Sequence, residues 1–137
     1  MATILHIETS TTVCSAALSH DGRLCLSRVC AEGMSHASKL PVFIDEMLQH
    51  CRSHHLQCDA VAVSAGPGSY TGLRIGVSTA KGICYGLNAK LLAIDTLQLT
   101  ARAALPEIAD ENALICPMTD ARRMEVYTAL YDTKLRK

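Results

Sequence analysis

The sequence carries no surplus of either charge. Thirteen lysines and arginines balance thirteen aspartates and glutamates among 137 residues, so the net charge is zero. A protein that grips nucleic acid by itself needs a basic excess or a basic face for the phosphates. Dealings with nucleic acid are therefore expected to run through a partner. No basic-then-apolar leader stands at Met1, and no apolar run approaches membrane-spanning length. Both absences point to a soluble, cytoplasmic protein. Seven cysteines without a leader read as residues of a reducing compartment, not as a disulfide frame. Cys14, Cys25 and Cys84 sit in apolar contexts and read as small core residues.

The usual catalytic and phosphate-binding signatures are missing as well. The chain is instead organised around residues 61–76, where a short apolar run is cut by Gly66-Pro67-Gly68 and a mostly apolar segment continues to Leu87. That pattern reads as a buried strand, a tight structural elbow and a helix packed back on a sheet. A helix start of this kind can hold phosphate. A P-loop, however, needs Gly-Lys-Ser/Thr where Thr71-Gly72-Leu73 stand, and the dinucleotide fingerprint needs glycine at Thr71. A G-x-S-x-G nucleophile elbow is not supplied either. The elbow thus reads as a close-packing device.

An apolar fraction of 49% can fill the core of one ordinary domain. Residues 3–7, 13–19 and 24–29 read as three strands in meander, the last two joined by an Asp21-Gly22 hairpin turn. His6 reads as a satisfied sheet histidine. Residues 38–51 read as a helix capped by Ser38, with Pro41 in its first turn. Strand 60–64 leads into the elbow and helix 70–87. Strand 90–94 and a helix from Asp95 or Thr96 to about Ala104 follow, ended by Leu105-Pro106-Glu107. Strand–helix–strand–helix after a meander predicts a mixed sheet with a right-handed parallel crossover. Residues 109–112 read as a boundary. Two further strands are expected at 113–118 and 124–131, joined by a loop at 119–123; two strands alone need partners from elsewhere.

Four small residues, Gly72, Gly76, Ala80 and Cys84, fall four apart on the helix after the elbow. Each helical glycine costs about 0.8–1 kcal/mol relative to alanine, so two on one face imply that another backbone comes close. Contact with this chain's own sheet and contact with a partner's helix both fit, and we take the stripe as a partner interface. Glu8, at a strand end, is a candidate acid or metal-linked group, although such carboxylates commonly cap turns. Arg74 is the cation nearest the elbow; Lys81 points elsewhere. Asp120, Arg122 and Arg123 read as a functional loop or as a polar hairpin tip. The run from His50 through Cys51, His54 and His55 to Cys58 offers ligands suited to tetrahedral zinc, and equally reads as a helix end with a solvated loop.

Taken together, Ile7-Glu8-Thr9-Ser10, the run 65–76, Ala80-Lys81-Gly82 and Asp120-Ala121-Arg122 resemble the bacterial TsaB (YeaZ) family, over the whole chain. The resemblance implies an α/β, actin-like (ASKHA, ribonuclease H-like) fold. Residues 1–108 would be its N-terminal lobe, and 109–137 the incomplete start of a second lobe. It implies a role in forming threonylcarbamoyladenosine at position 37 of tRNA. There the paralogue TsaD transfers the threonylcarbamoyl group, TsaB is its non-catalytic dimerisation partner, and the ATPase TsaE is a third component. A homodimer is implied when TsaD is absent, and contact with tRNA comes only through the complex. TsaD-like proteins carry two metal-binding histidines where this chain has Thr96 and Thr100, so the chain reads as the partner and not the transferase. No catalytic or metal residue and no cofactor of its own is expected, ATP or ADP entering only with partner subunits. Arg123-Met124 departs from the Met-Gly of many relatives. Two alternatives remain: a metal-dependent peptidase, after the "glycoprotease" label of the superfamily, and a nucleotide-binding relative of sugar kinases.

Overall fold

Alternating burial builds the main sheet. Along β1 (Thr3–Glu8) and β2 (Cys14–His20) every second side chain is buried, as expected of strands with one face in a core. A turn at Asp21-Gly22, both at positive φ, returns the chain into β3 (Arg23–Cys30). Next come α1 (His36–Ser53), β4 (Ala60–Gly66), α2 (Tyr70–Leu87), β5 (Lys90–Asp95) and α3 (Thr96–Ala104). The strands stand in the order β3-β2-β1-β4-β5. β1 runs antiparallel to β2 and parallel to β4, which is parallel to β5. This computed structural model describes the whole chain, Met1–Lys137.

α1 and α2 cover one face of the sheet. Leu40, Phe43, Ile44 and Met47 of α1 and Ala80 of α2 close over Leu5, Ile7, Leu18, Val61 and Val63. α1 begins two residues earlier than its sequence suggests. Ser35 stands at the N-cap position and its carbonyl accepts the N–H groups of Ser38 and Lys39, so Ser38 is already helical. Pro41 therefore lies inside the helix and not in its first turn. It sits on the exposed side, where water can satisfy the carbonyl it leaves free. Cys25, expected in the core, is exposed, because the register of β3 shifts opposite Leu18 and Ser19 beside it.

The stripe of small residues faces inward. Thr9, completely buried, lies against α2 and donates its hydroxyl to the Gly72 carbonyl at 2.6 Å. A Cβ on Gly72 would collide with the Thr9 carbonyl, and one on Gly76 with the Thr9 hydroxyl. Ala80 is fully buried in the core, and half-buried Cys84 donates its S–H to the Lys90 carbonyl at 3.4 Å. The expectation of a partner helix on Gly72, Gly76 and Ala80 is thus corrected, since this chain's own β1–β2 loop and sheet fill that space.

The remainder gathers round α3. Asp95 is its N-cap, accepting from Leu97 and Gln98 N–H. Leu97 and Ala101 pack with Ile115 and Tyr131 in a small second core, which therefore crosses the boundary expected at 108/109. Ile115 and Tyr131 exchange two backbone hydrogen bonds, of 2.8 and 2.9 Å. The final hairpin is β6 (Met118–Arg122) with β7 (Glu125–Thr128), so the segment expected as a loop is mostly strand. The Asp120 carboxylate accepts the Arg122 N–H at 2.8 Å and bends the strand into its turn. Arg122, Arg123 and Met124 all take positive φ there, between 54° and 67°.

Three substitutions test this packing. Gly72→Ala should destabilise the chain by about 3 kcal/mol, since backbone must move to admit the methyl, whereas Gly82→Ala meets only open space and should be neutral or stabilising. Met124→Gly should raise stability by about 1 kcal/mol by relieving a left-handed residue. Urea unfolding midpoints read all three.

Candidate functional site

The β1–β2 loop and the elbow are tied by a run of hydrogen bonds. Glu8, at the end of β1, accepts the Ser10 N–H at 2.7 Å with one carboxylate oxygen. Its other oxygen accepts the hydroxyl of Ser64, on the neighbouring strand β4, in a short bond. The Ser10 carbonyl in turn accepts the Ser69 N–H at 2.7 Å, and the Ser69 hydroxyl accepts the Gly72 N–H at the start of α2. Gly66-Pro67-Gly68 carries the chain between these points through a cis Gly66–Pro67 bond. A Cβ on Gly68 would stand 2.6 Å from the Ser10 carbonyl, so the elbow fits only without one. One oxygen of Glu8 thus closes the turn after β1, and the other ties β1 to β4. Ser64 is buried and gives its proton to a carboxylate, with no imidazole on the hydroxyl to serve as a base.

His36 and Ser64 were not singled out in the sequence, and both prove structural anchors. His36 is the first residue of α1, nearly buried, and its Nε2–H donates to the Thr11 carbonyl at 2.6 Å. Because a carbonyl only accepts, this bond fixes the proton on Nε2. Its ring also abuts Gly72, so α1, α2 and the β1–β2 loop meet at one imidazole. Beside it a hollow of about 420 Å³ is lined by Thr11, Thr12, His36, Ser69, Thr71 and Arg122. Arg122 thus reaches this junction from the hairpin; Arg123 stays in the exposed turn.

The other candidates part company. Arg74 lies over the Tyr70 ring, 5.5 Å from its centroid, in a cation–π contact. Lys81 is exposed. The zinc-like run is divided by the fold. Cys51 and Cys58 turn into the core, where burial pushes both thiols up in pKa, while His50 stacks on His54 at the surface. A zinc ligand has to be a thiolate, and that burial opposes it. His6 lies on the sheet face away from α1 and α2, bonded through Nε2 to the Ser19 hydroxyl at 2.8 Å. With Glu8, Ala62, Ser64 and Leu99 of α3 it borders a second hollow, of about 260 Å³.

Comparison with known proteins now places this framework. Residues 32–136 match the family model TsaD, tRNA N6-adenosine threonylcarbamoyltransferase. The chain belongs to this family, in its TsaB (YeaZ) branch. It is 35% identical over 125 residues to the tRNA threonylcarbamoyladenosine biosynthesis protein TsaB of Haemophilus influenzae, covering 91% of this chain and 52% of that protein. It is 32% identical to the TsaB protein of Bacillus subtilis, over 96% of this chain and 56% of that one. The structure of YeaZ from Pseudomonas aeruginosa superposes with a TM-score of 0.81 at 32% identity, covering 96% of this chain and 61% of that chain. The chain spans about half the length of the curated relatives it matches, and its fold is the actin-like α/β fold expected. Thr96 is the first residue of α3 and Thr100 stands one turn further on. The Thr100 hydroxyl donates to the Thr96 carbonyl at 2.9 Å.

Burial holds the His6 imidazole below its ordinary pKa, about 6.5. The fold therefore favours the neutral ring. This contribution is complete above pH 6.5 and is lost as pH falls through the lower, folded value. The urea midpoint of the wild type should drop between pH 7.5 and 5, and that drop should shrink in His6→Gln.

Proposed function

We propose that this chain serves as a non-catalytic scaffold in forming N6-threonylcarbamoyladenosine on tRNA, as the TsaB-type partner of a TsaD transferase and the ATPase TsaE. The observation that carries the proposal is the 32% identity and 0.81 TM-score to YeaZ over 96% of the chain, supported by the names of the TsaB relatives. Two site features support the non-catalytic reading. The best acid, Glu8, is committed to two hydrogen bonds inside the fold. The start of α3 presents threonines and not imidazoles. The chain would act in the cytoplasm, reach tRNA only through the complex, hold no cofactor of its own, and pair with a second copy when TsaD is absent.

Since Thr9 fills the small-residue side of α2, the docking face falls on the outward side of that helix. Tyr85, 93% exposed, and Lys81 stand there, and an aromatic ring of this kind can anchor an interface. Tyr85→Asp should weaken co-purification with TsaD at least tenfold and leave the unfolding midpoint unchanged; undiminished co-purification would remove that face. Function is read by mass spectrometry of tRNA nucleosides after co-expression with TsaD and TsaE. Omitting the chain should abolish threonylcarbamoyladenosine, and Glu8→Gln should retain at least half of it. Loss of the product in a well-folded Glu8→Gln protein would instead place chemistry at Glu8.

A further inference from the structure

β2 and β3 bring two free thiols together. Cys14 is the first residue of β2 and Cys30 the last of β3, and the two are direct partners across the antiparallel ladder. Direct partners share a face, with Cα atoms about 4.5 or 5.5 Å apart according to the type of pair. Disulfides span Cα distances of about 4.4–6.8 Å. As the end pair of the ladder, they can move the few tenths of an ångström that bonding needs without opening the strands. Cys14 is fully buried, and burial together with the neighbouring Cys30 raises its pKa. Cys30 is half-buried and is the thiol an oxidant can reach.

We propose that Cys14 and Cys30 form a peroxide-oxidisable dithiol that acts on the start of α1. The Cys30 thiolate attacks the peroxide, takes one oxygen to become a sulfenic acid, and releases water or an alcohol. The Cys14 sulfur then attacks the Cys30 sulfur, the S–S bond forms, and the hydroxyl leaves as water with the Cys14 proton. Two thiols and one hydrogen peroxide thus give one disulfide and two waters.

The bond has a consequence at the helix. Ser35 donates its single hydroxyl proton to the Glu32 carbonyl at 2.6 Å. In the contact between Cys30 Sγ and Ser35 Oγ, at 3.4 Å, the thiol is therefore the donor. Oxidation removes that S–H and its bond to Ser35, the residue at the N-cap position of α1. The carbonyl of Ser35 holds the first turn through Ser38 and Lys39, and His36 beside it joins α1 to α2. Oxidation clamps the hairpin and loosens this approach to α1.

The test uses the full chain with Cys25 and Cys116, the two exposed thiols, replaced by serine to prevent links between molecules. After hydrogen peroxide, alkylation in denaturant and digestion without reductant, the Cys14–Cys30-linked peptide should dominate and disappear with dithiothreitol. Cys14→Ala should leave a dimedone-reactive sulfenic acid on Cys30, and Cys30→Ser should give neither product. Amide exchange over residues 35–39 should quicken at least tenfold on oxidation and recover on reduction. Recovery of both residues as alkylated thiols, or linkage of Cys30 chiefly to another cysteine, would overturn the dithiol. Unchanged exchange in the cross-linked protein would overturn its action on α1.

Discussion

Thr9 wedged between Gly72 and Gly76 is the contact on which the structure depends. It is a fully buried polar residue, satisfied by a hydroxyl bond to the backbone of the helix it touches, so its burial carries no unpaired group. The two glycines let the β1–β2 loop lie directly on α2. Once that distance is set, Ser69 comes within reach of the Ser10 carbonyl and the His36 ring closes against Gly72. The elbow, the loop and the starts of two helices are then one unit. A single added methyl on either glycine would separate them.

This unit gives the candidate site its character. Glu8 and Ser64, side chains of the types that carry chemistry, are instead committed to holding β1, β4 and the loop together. The same holds for His36, whose Nε2 proton goes to a backbone carbonyl. Glu8 and Ser64, bonded to each other and to the loop backbone, hold the framework in shape, while the second ring nitrogen of His36, Nδ1, is buried without a partner. The hollow between Thr11, His36 and Arg122 lies where the last hairpin meets the main sheet's helices.

Much of the fold was legible in the residues. Period-two burial in β1 and β2, the Asp21-Gly22 turn and the three- and four-residue steps of α1 are local signals, and local signals survive without a structure. The misplaced ends have non-local causes. α1 starts at His36, whose imidazole is tied to a carbonyl 25 residues earlier, a contact that no helix-cap rule contains. Strand β6 includes Thr119, Asp120 and Arg122, polar residues that look like loop until their pairing with β7 is seen. Three successive left-handed residues without a glycine give no sign of where in the expected 119–123 loop the chain turns.

The sequence by itself determined the element order, the mixed sheet, the elbow and the presence of a close approach on α2. These follow from apolar periodicity, from punctuation by glycine and proline, and from the cost of glycine in a helix. Its motifs also carried the resemblance to the TsaB family. Only the tertiary structure decided what comes close to Gly72 and Gly76, and the answer was a threonine of the same chain and not a helix from another. Small residues record that a neighbour is near because volume is excluded at that place. They cannot record whose atoms fill the space, since Thr9 lies 63 residues from Gly72 and meets it only when β1 and β4 pair.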